Sequence, residues 1–200
     1  PYLSTAEDKT LWTVMSYTVS SAQYHLQYSP LDIAALQYLY GPSTTARTAD
    51  DTYSVSASTS NFIWDGAGAD TLSASSLSTS VTLYLEPGYW GYVGAKSSLI
   101  TDPGQVTVNF GTVIENLTGG SGNDFLYGNA ASNVISAGSG DDKVTGGAGD
   151  DSIDGGQGSD FAVFSATYAN SVITRLPNGS VTVSSALDGT DTLTLSLIHI

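Results

Sequence analysis

Between residues 29 and 41 the apolar positions recur at a helical period, placing Ile33, Leu36 and Tyr40 on one face. Ser29 can cap the start, Pro30 suits the first helical position, Asp32 lies three residues after the cap, and Gly41-Pro42 stops the helix. Beyond residue 50 the period shortens. Runs of β-branched and aromatic residues at 52–55, 61–64, 81–85, 105–110, 171–175 and 180–184 are separated by turn formers, which predicts strands. Pro177-Asn178-Gly179 between the last two predicts a hairpin. The expected class is all-β, preceded by one short helix.

Within the β region one pattern repeats every nine residues, starting at 119, 128, 137, 146 and 155: GGSGNDFLY, GNAASNVIS, AGSGDDKVT, GGAGDDSID and GGQGSDFAV. The sixth position reads Asp124, Asn133, Asp142, Asp151 and Asp160. The eighth reads Leu126, Ile135, Val144, Ile153 and Ala162, apolar every time. A six-residue glycine turn followed by a three-residue strand with one inward side chain winds into a parallel β-roll, two units per coil. A turn then stacks on the turn two units later. Asp124, Asp142 and Asp160 fall along one edge, Asn133 and Asp151 along the other.

One apolar side chain per unit makes a thin core, against a backbone entropy cost of about 1–2 kcal/mol per ordered residue. The rest of the stabilisation has to come from elsewhere, and the polar positions indicate where. Sixteen Asp and three Glu stand against five basic residues, for a formal net charge of −14. Stacked sixth-position carboxylates would repel unless a cation lay between them. Glycine turns, with Gly120 and Gly122 as the first examples, aim carbonyl oxygens inward. Carbonyls and carboxylates together offer the roughly six to eight hard oxygens that calcium takes. Three ions are expected from the repeat, between Asp124 and Asp142, Asp142 and Asp160, and Asn133 and Asp151, the last weaker by one charge. Asp141, Asp150 and Asp154 read as solvated charges that raise local calcium concentration. With Lys and Arg so scarce, a nucleic-acid or anionic-membrane partner is excluded. No apolar run approaches the ~20 residues of a membrane span. The absence of cysteine removes disulfides and thiolate metal sites.

The nonapeptide resembles the calcium-binding repeat of RTX proteins. The segments before it narrow the resemblance: Met15-Ser16-Tyr17, residues 29–41 (SPLDIAALQYLYG), Arg47-Thr48-Ala49-Asp50, residues 64–71 (WDGAGADT) and Val113-Ile114-Glu115-Asn116. In this order, from about residue 7 to residue 165, they are similar to the serralysin family of secreted zinc metalloproteases. That resemblance implies a Met-turn at Met15 with Tyr17 as a remnant zinc ligand. The family's HExxHxxGxxH helix has no counterpart here, and His25 and His199 are the only histidines. It further implies that residues 65–70 form an isolated RTX turn. Asp65 and Asp70 would bind calcium there with backbone oxygens of Arg47, Ala49 and Gly68, and Asp70 would share a second ion with Glu115. Ala49, Ala67 and Val113 stand where the family has Gly, Gly and Thr.

The resulting expectation is an all-β protein, a parallel β-roll (RTX) with a flanking β sandwich and one short N-terminal helix. Residues 1–42 would be the end of a metalloprotease domain. Residues 43–194 would be a serralysin-type C-terminal domain with the roll at 119–163, and 195–200 a non-native tail. The chain starts at Pro1 with no leader and reads as an internal piece of a longer protein. By resemblance, that parent is secreted to the extracellular space by type I secretion machinery, holds zinc and cuts protein or peptide substrates. This chain itself takes calcium and is expected to be inactive. A different class, a calcium-dependent extracellular binding or adhesion module, would instead use Tyr89, Trp90 and Tyr92 as an exposed contact surface.

Overall fold

The computed structural model describes residues 30–41, 43, 45–194 and 197–199. Met15, Tyr17, His25 and the cap at Ser29 lie outside them. Helix α1 (Pro30–Tyr40) ends as expected. Gly41 adopts φ +79° and donates its N–H to the Gln37 carbonyl at 2.9 Å. Its docking differs from the periodic reading. Leu36 and Tyr40 are exposed while Asp32 and Gln37 are buried. The exposed Tyr38 ring meets Phe110 edge-on at 5.3 Å. That partner lies far away in sequence, where a local period has no view of it.

Sixteen strands follow among the described residues. They are β1 (Thr52–Ser54), β2 (Asn61–Ile63), β3 (Thr71–Ser73), β4 (Val81–Tyr84), β5 (Gly91–Val93), β6 (Gln105–Val108), β7 (Asn116–Thr118) and β8 (Phe125–Tyr127). After them come β9 (Val134–Ser136), β10 (Lys143–Thr145), β11 (Ser152–Asp154), β12 (Phe161–Val163), β13 (Ser171–Arg175), β14 (Val181–Ser185), β15 (Gly189–Thr194) and β16 (Leu197–His199). They make two sheets, ordered β1-β3-β7-β9-β11-β15-β14-β13 and β16-β12-β10-β8-β4-β5-β6-β2. Lys143 pairs with Phe125, and Ser152 with Val134, both in parallel. Successive nonapeptides therefore alternate between sheets and two units make one coil, as the repeat predicts.

The eighth-position side chains form the core, and all five are buried. Leu126, Val144 and Ala162 stack in one sheet, and in the other the column of Ile135 and Ile153 runs on beyond the repeat. Tyr53 pairs with Leu72, Leu72 with Leu117, Leu117 with Ile135, Ile135 with Ile153, and Ile153 with Leu193. The flanking strands are thus continuous with the roll, and antiparallel pairing enters only at β4-β5-β6 and β13-β14-β15. Burying each Leu or Ile of this column is worth about 1.5–3 kcal/mol. Close stacking also demands glycine. A Cβ on Gly158, at φ +135°, would lie 1.9 Å from the Gly140 carbonyl oxygen. Among the described residues no helix is long and apolar enough to cross a membrane.

Candidate calcium sites along the two edges of the roll

Each sixth-position residue immediately precedes a strand, so its backbone is fixed by strand pairing and its side chain is held between stacked turns. On one edge the Asp124 N–H donates to Asp142 Oδ1 at 2.7 Å and the Asp142 N–H to Asp160 Oδ1 at 3.0 Å. On the other, the Asn133 N–H donates to Asp151 Oδ1 at 2.8 Å. The pairings expected from the repeat are therefore the contacts observed, and Asp124, Asn133, Asp142, Asp151 and Asp160 are all buried. Gly120 and Gly122 present their carbonyl oxygens to the next turn, 2.2 and 2.4 Å from where a Cβ on Gly138 and Gly140 would stand. The Gly120 oxygen also accepts the Ser139 N–H at 3.1 Å.

The second edge continues past the repeat. The Asp70 N–H donates to Glu115 Oε2 at 2.8 Å, and the Asp51 N–H to Asp70 Oδ1 at 2.8 Å. Asp51, Asp65 and Asp70 bring carboxylate oxygens within 4.8 Å of one another. The Arg47 carbonyl accepts the N–H groups of Gly66 and Ala67, both at 3.1 Å, and the Ala49 carbonyl faces Gly68. Asp65 accepts from the Tyr53 hydroxyl and, at 2.9 Å, from the Ala67 N–H. The Arg47 guanidinium lies 4.1 Å over the Trp64 ring and donates to the Trp64 carbonyl at 3.0 Å.

Two members of the ladder escape the sequence reading, Asp51 and Asp191. The Asp151 N–H donates to Asp191 Oδ1 at 2.9 Å. Each immediately precedes or lies within a strand that joins the column, and that placement was the available signal. Asp141 and Asp150 are exposed, as expected of solvated charges, yet each also accepts an N–H from the next turn, from Ser159 at 2.9 Å and Thr190 at 2.8 Å. The aromatic alternative loses most of its surface. Trp90 donates Nε1–H to Gln105 at 2.8 Å, Tyr92 is half-buried, and Tyr89, although exposed, packs on Tyr84 at 5.3 Å.

The ladder contains its own comparison between an amide and a carboxylate. Asn133 uses Nδ2 to donate to the Glu115 carbonyl at 3.2 Å and to Asn129 Oδ1 at 3.1 Å, while its Oδ1 accepts the Asn129 N–H at 2.9 Å. Asp70, Asp142, Asp151 and Asp160 have no proton to donate, and each keeps a buried Oδ2 without any partner. A dry, unpaired carboxylate oxygen costs on the order of 1–3 kcal/mol or more. A divalent cation among oxygens is the group that would satisfy it, so the donor set fits calcium.

Burial pushes the Asp142 carboxyl up to about 6, with Asp124, Asp160 and Asp141 adding like charge. Burial raises Asp151 to about 6 and Asp191 to about 7, again with only acids as neighbouring charges. Asp70 rises to about 6 through burial and the charges of Asp65 and Glu115. These carboxyls bind protons more tightly folded than unfolded, so their contribution to stability is full below the ordinary value of 3.8 and lost as pH rises through about 6 to 7. The calcium-free chain is therefore expected to hold more β structure at pH 5 than at pH 7.5, and calcium to bind more weakly at pH 5.5 than at 7.5. Far-UV circular dichroism across that range in calcium-depleted buffer checks this; a β signal that increases with pH would contradict it.

Comparison with known proteins agrees with this arrangement. The RTX calcium-binding nonapeptide repeat (4 copies) matches residues 57–76, 111–144 and 127–162, so it covers the isolated turn at 65–70 as well as the main repeat. "Serralysin" of Proteus mirabilis is 36% identical over 151 residues, 65% of this chain and 30% of that protein. "Metalloprotease AprA" of Pseudomonas entomophila is 36% identical over 156 residues, 65% of this chain and 31% of that protein. "Serralysin B" of Dickeya chrysanthemi is 35% identical over 142 residues, 60% and 28% respectively. The chain carries RTX calcium-binding repeats and is related to the serralysins, and it spans about 30% of the length of these relatives.

Proposed function

We propose that this chain is the calcium-binding β-roll of a secreted, serralysin-like zinc endopeptidase, residues 1–42 closing the protease domain and 43–194 forming the domain that carries the roll, with 195–200 a non-native tail. The supporting observation is the contrast along the ladder, where the amide of Asn133 is satisfied within the chain and four buried carboxylates are not. Calcium supplies the missing positive charge. Asp124, Asp142, Asp160, Asn133 and Asp151 hold it in the repeat, with carbonyls such as those of Gly120 and Gly122. Asp65, Asp70 and Glu115, with backbone oxygens of Arg47, Ala49 and Gly68, hold it on the flank. Asn133 has already spent its amide, so its site is the weaker one.

Extracellular calcium modules bind with Kd on the order of 10⁻⁴–10⁻³ M. Such a roll stays uncompacted at the low calcium inside a cell, in a state suited to type I secretion, and folds on meeting millimolar calcium outside. Zinc belongs to the longer parent alone: two histidines and Tyr17 do not make a three-histidine site. The longer gene product is expected to carry HExxHxxGxxH upstream of Pro1 and to digest casein. The 200-residue chain with added zinc is expected to leave casein intact. Digestion by this chain that Tyr17→Phe abolishes would overturn the reading.

A further inference from the structure

Residues 186–191, Ala-Leu-Asp-Gly-Thr-Asp, stand outside the nonapeptide period, yet they stack on the 146–151 turn through the contacts that join one repeat turn to the next. The sixth-position contact recurs. Asp124 N–H reaches Asp142 at 2.7 Å, Asn133 N–H reaches Asp151 at 2.8 Å, and Asp151 N–H reaches Asp191 at 2.9 Å, across 40 residues. So does the fifth-position contact. Asp141 N–H donates to Asn123 Oδ1 at 3.0 Å, and Thr190 N–H to Asp150 Oδ1 at 2.8 Å. At the fourth position the Gly122 carbonyl faces Gly140 and the Gly149 carbonyl faces Gly189 at φ +88°, where a Cβ would lie 2.0 Å from the Gly149 oxygen.

We propose that residues 186–191 are a further calcium turn, which closes this edge with an ion between Asp151 and Asp191. The assignment rests on the calcium reading of the roll. It is more than a cluster of acids, because Asp151, 2% exposed, keeps Oδ2 without a partner. Asp188 has a different task. Its oxygens accept from the Ser165 and Ala166 N–H groups, at 2.9 and 3.0 Å, and from the Ser185 hydroxyl at 2.9 Å. They anchor the turn and leave Asp191 as its ligand. The second position holds exposed Leu187 in place of the glycine at 138, 147 and 156, whose Cα lies against the carbonyl of the preceding turn. The close stacking that glycine allows at this position is therefore not repeated here, and the site binds more weakly than those at Asp142. Its ion fastens the β13-β14-β15 meander to the roll, and that docking completes last in a calcium titration.

Isothermal titration of the full chain with calcium tests this. Asp191→Ala is expected to bind one ion fewer, and Asp151→Ala two fewer where the repeat alone allows one. An unchanged count in Asp191→Ala while Asp142→Ala loses ions overturns this turn alone. An unchanged count in both overturns the calcium reading as well. Should Asp191→Ala fail to fold, wild-type crystals grown with terbium decide. An anomalous peak about 2.3–2.6 Å from oxygens of both Asp151 and Asp191 supports the site, and its absence overturns it.

Discussion

In excess chelator the chain is expected to lose most of its far-UV circular dichroism β signal and to regain it on adding millimolar calcium, with magnesium at the same concentration ineffective. A net charge of −14 opposes compaction, and the core is a thin layer of side chains between two sheets. An ion that binds only the folded chain adds RT ln(1 + [L]/Kd), about 1.4 kcal/mol at a tenfold excess over Kd. The five ions assigned to the repeat and its flank then give ~7 kcal/mol, within the roughly 5–15 kcal/mol that hold a whole domain together. Removing them at neutral pH also leaves the buried oxygens of Asp70, Asp142, Asp151 and Asp160 unpaired. Magnesium prefers shorter, near-octahedral contacts and keeps its waters, so turns built on carbonyls serve it poorly. A full β signal in excess EDTA would refute the coupling.

Asp142→Ala is expected to lower calcium stoichiometry by about two, the largest loss for any substitution on its edge, whereas Asp141→Ala changes it by none. Asp142 is the middle carboxylate of its column. Its Oδ1 accepts from Asp124 and its own N–H donates to Asp160, so it faces a turn on either side. Asp141 is the adjacent residue, but its side chain is exposed. Its carboxylate accepts the Ser159 N–H at a surface where water can replace it. Parallel isothermal titrations separate ligand geometry from general acidity. If the two variants behave alike, the carboxylates act as a diffuse patch and the ligand assignment fails.

The repeat and its chemistry were legible because both are local. Nine residues with glycine, Asp and one apolar position determine turn, strand, inward side chain and the two-unit coil, whatever lies around them. The pairing of Asp124 with Asp142 and of Asn133 with Asp151 follows from that period by counting. Three features needed the folded chain. Asp51 and Asp191 join the ladder through strands 19 and 40 residues from their partners, and no period spans those gaps. The amide of Asn133 closes on Glu115 and Asn129, a choice between hydrogen bond and cation that depends on which carbonyls the preceding coil presents. Helix α1 followed from its own spacing and its Gly41 stop, but the side it buries, with Asp32 and Gln37, is not the one its apolar period marks, because local periodicity specifies an element while its docking is a contest among distant surfaces.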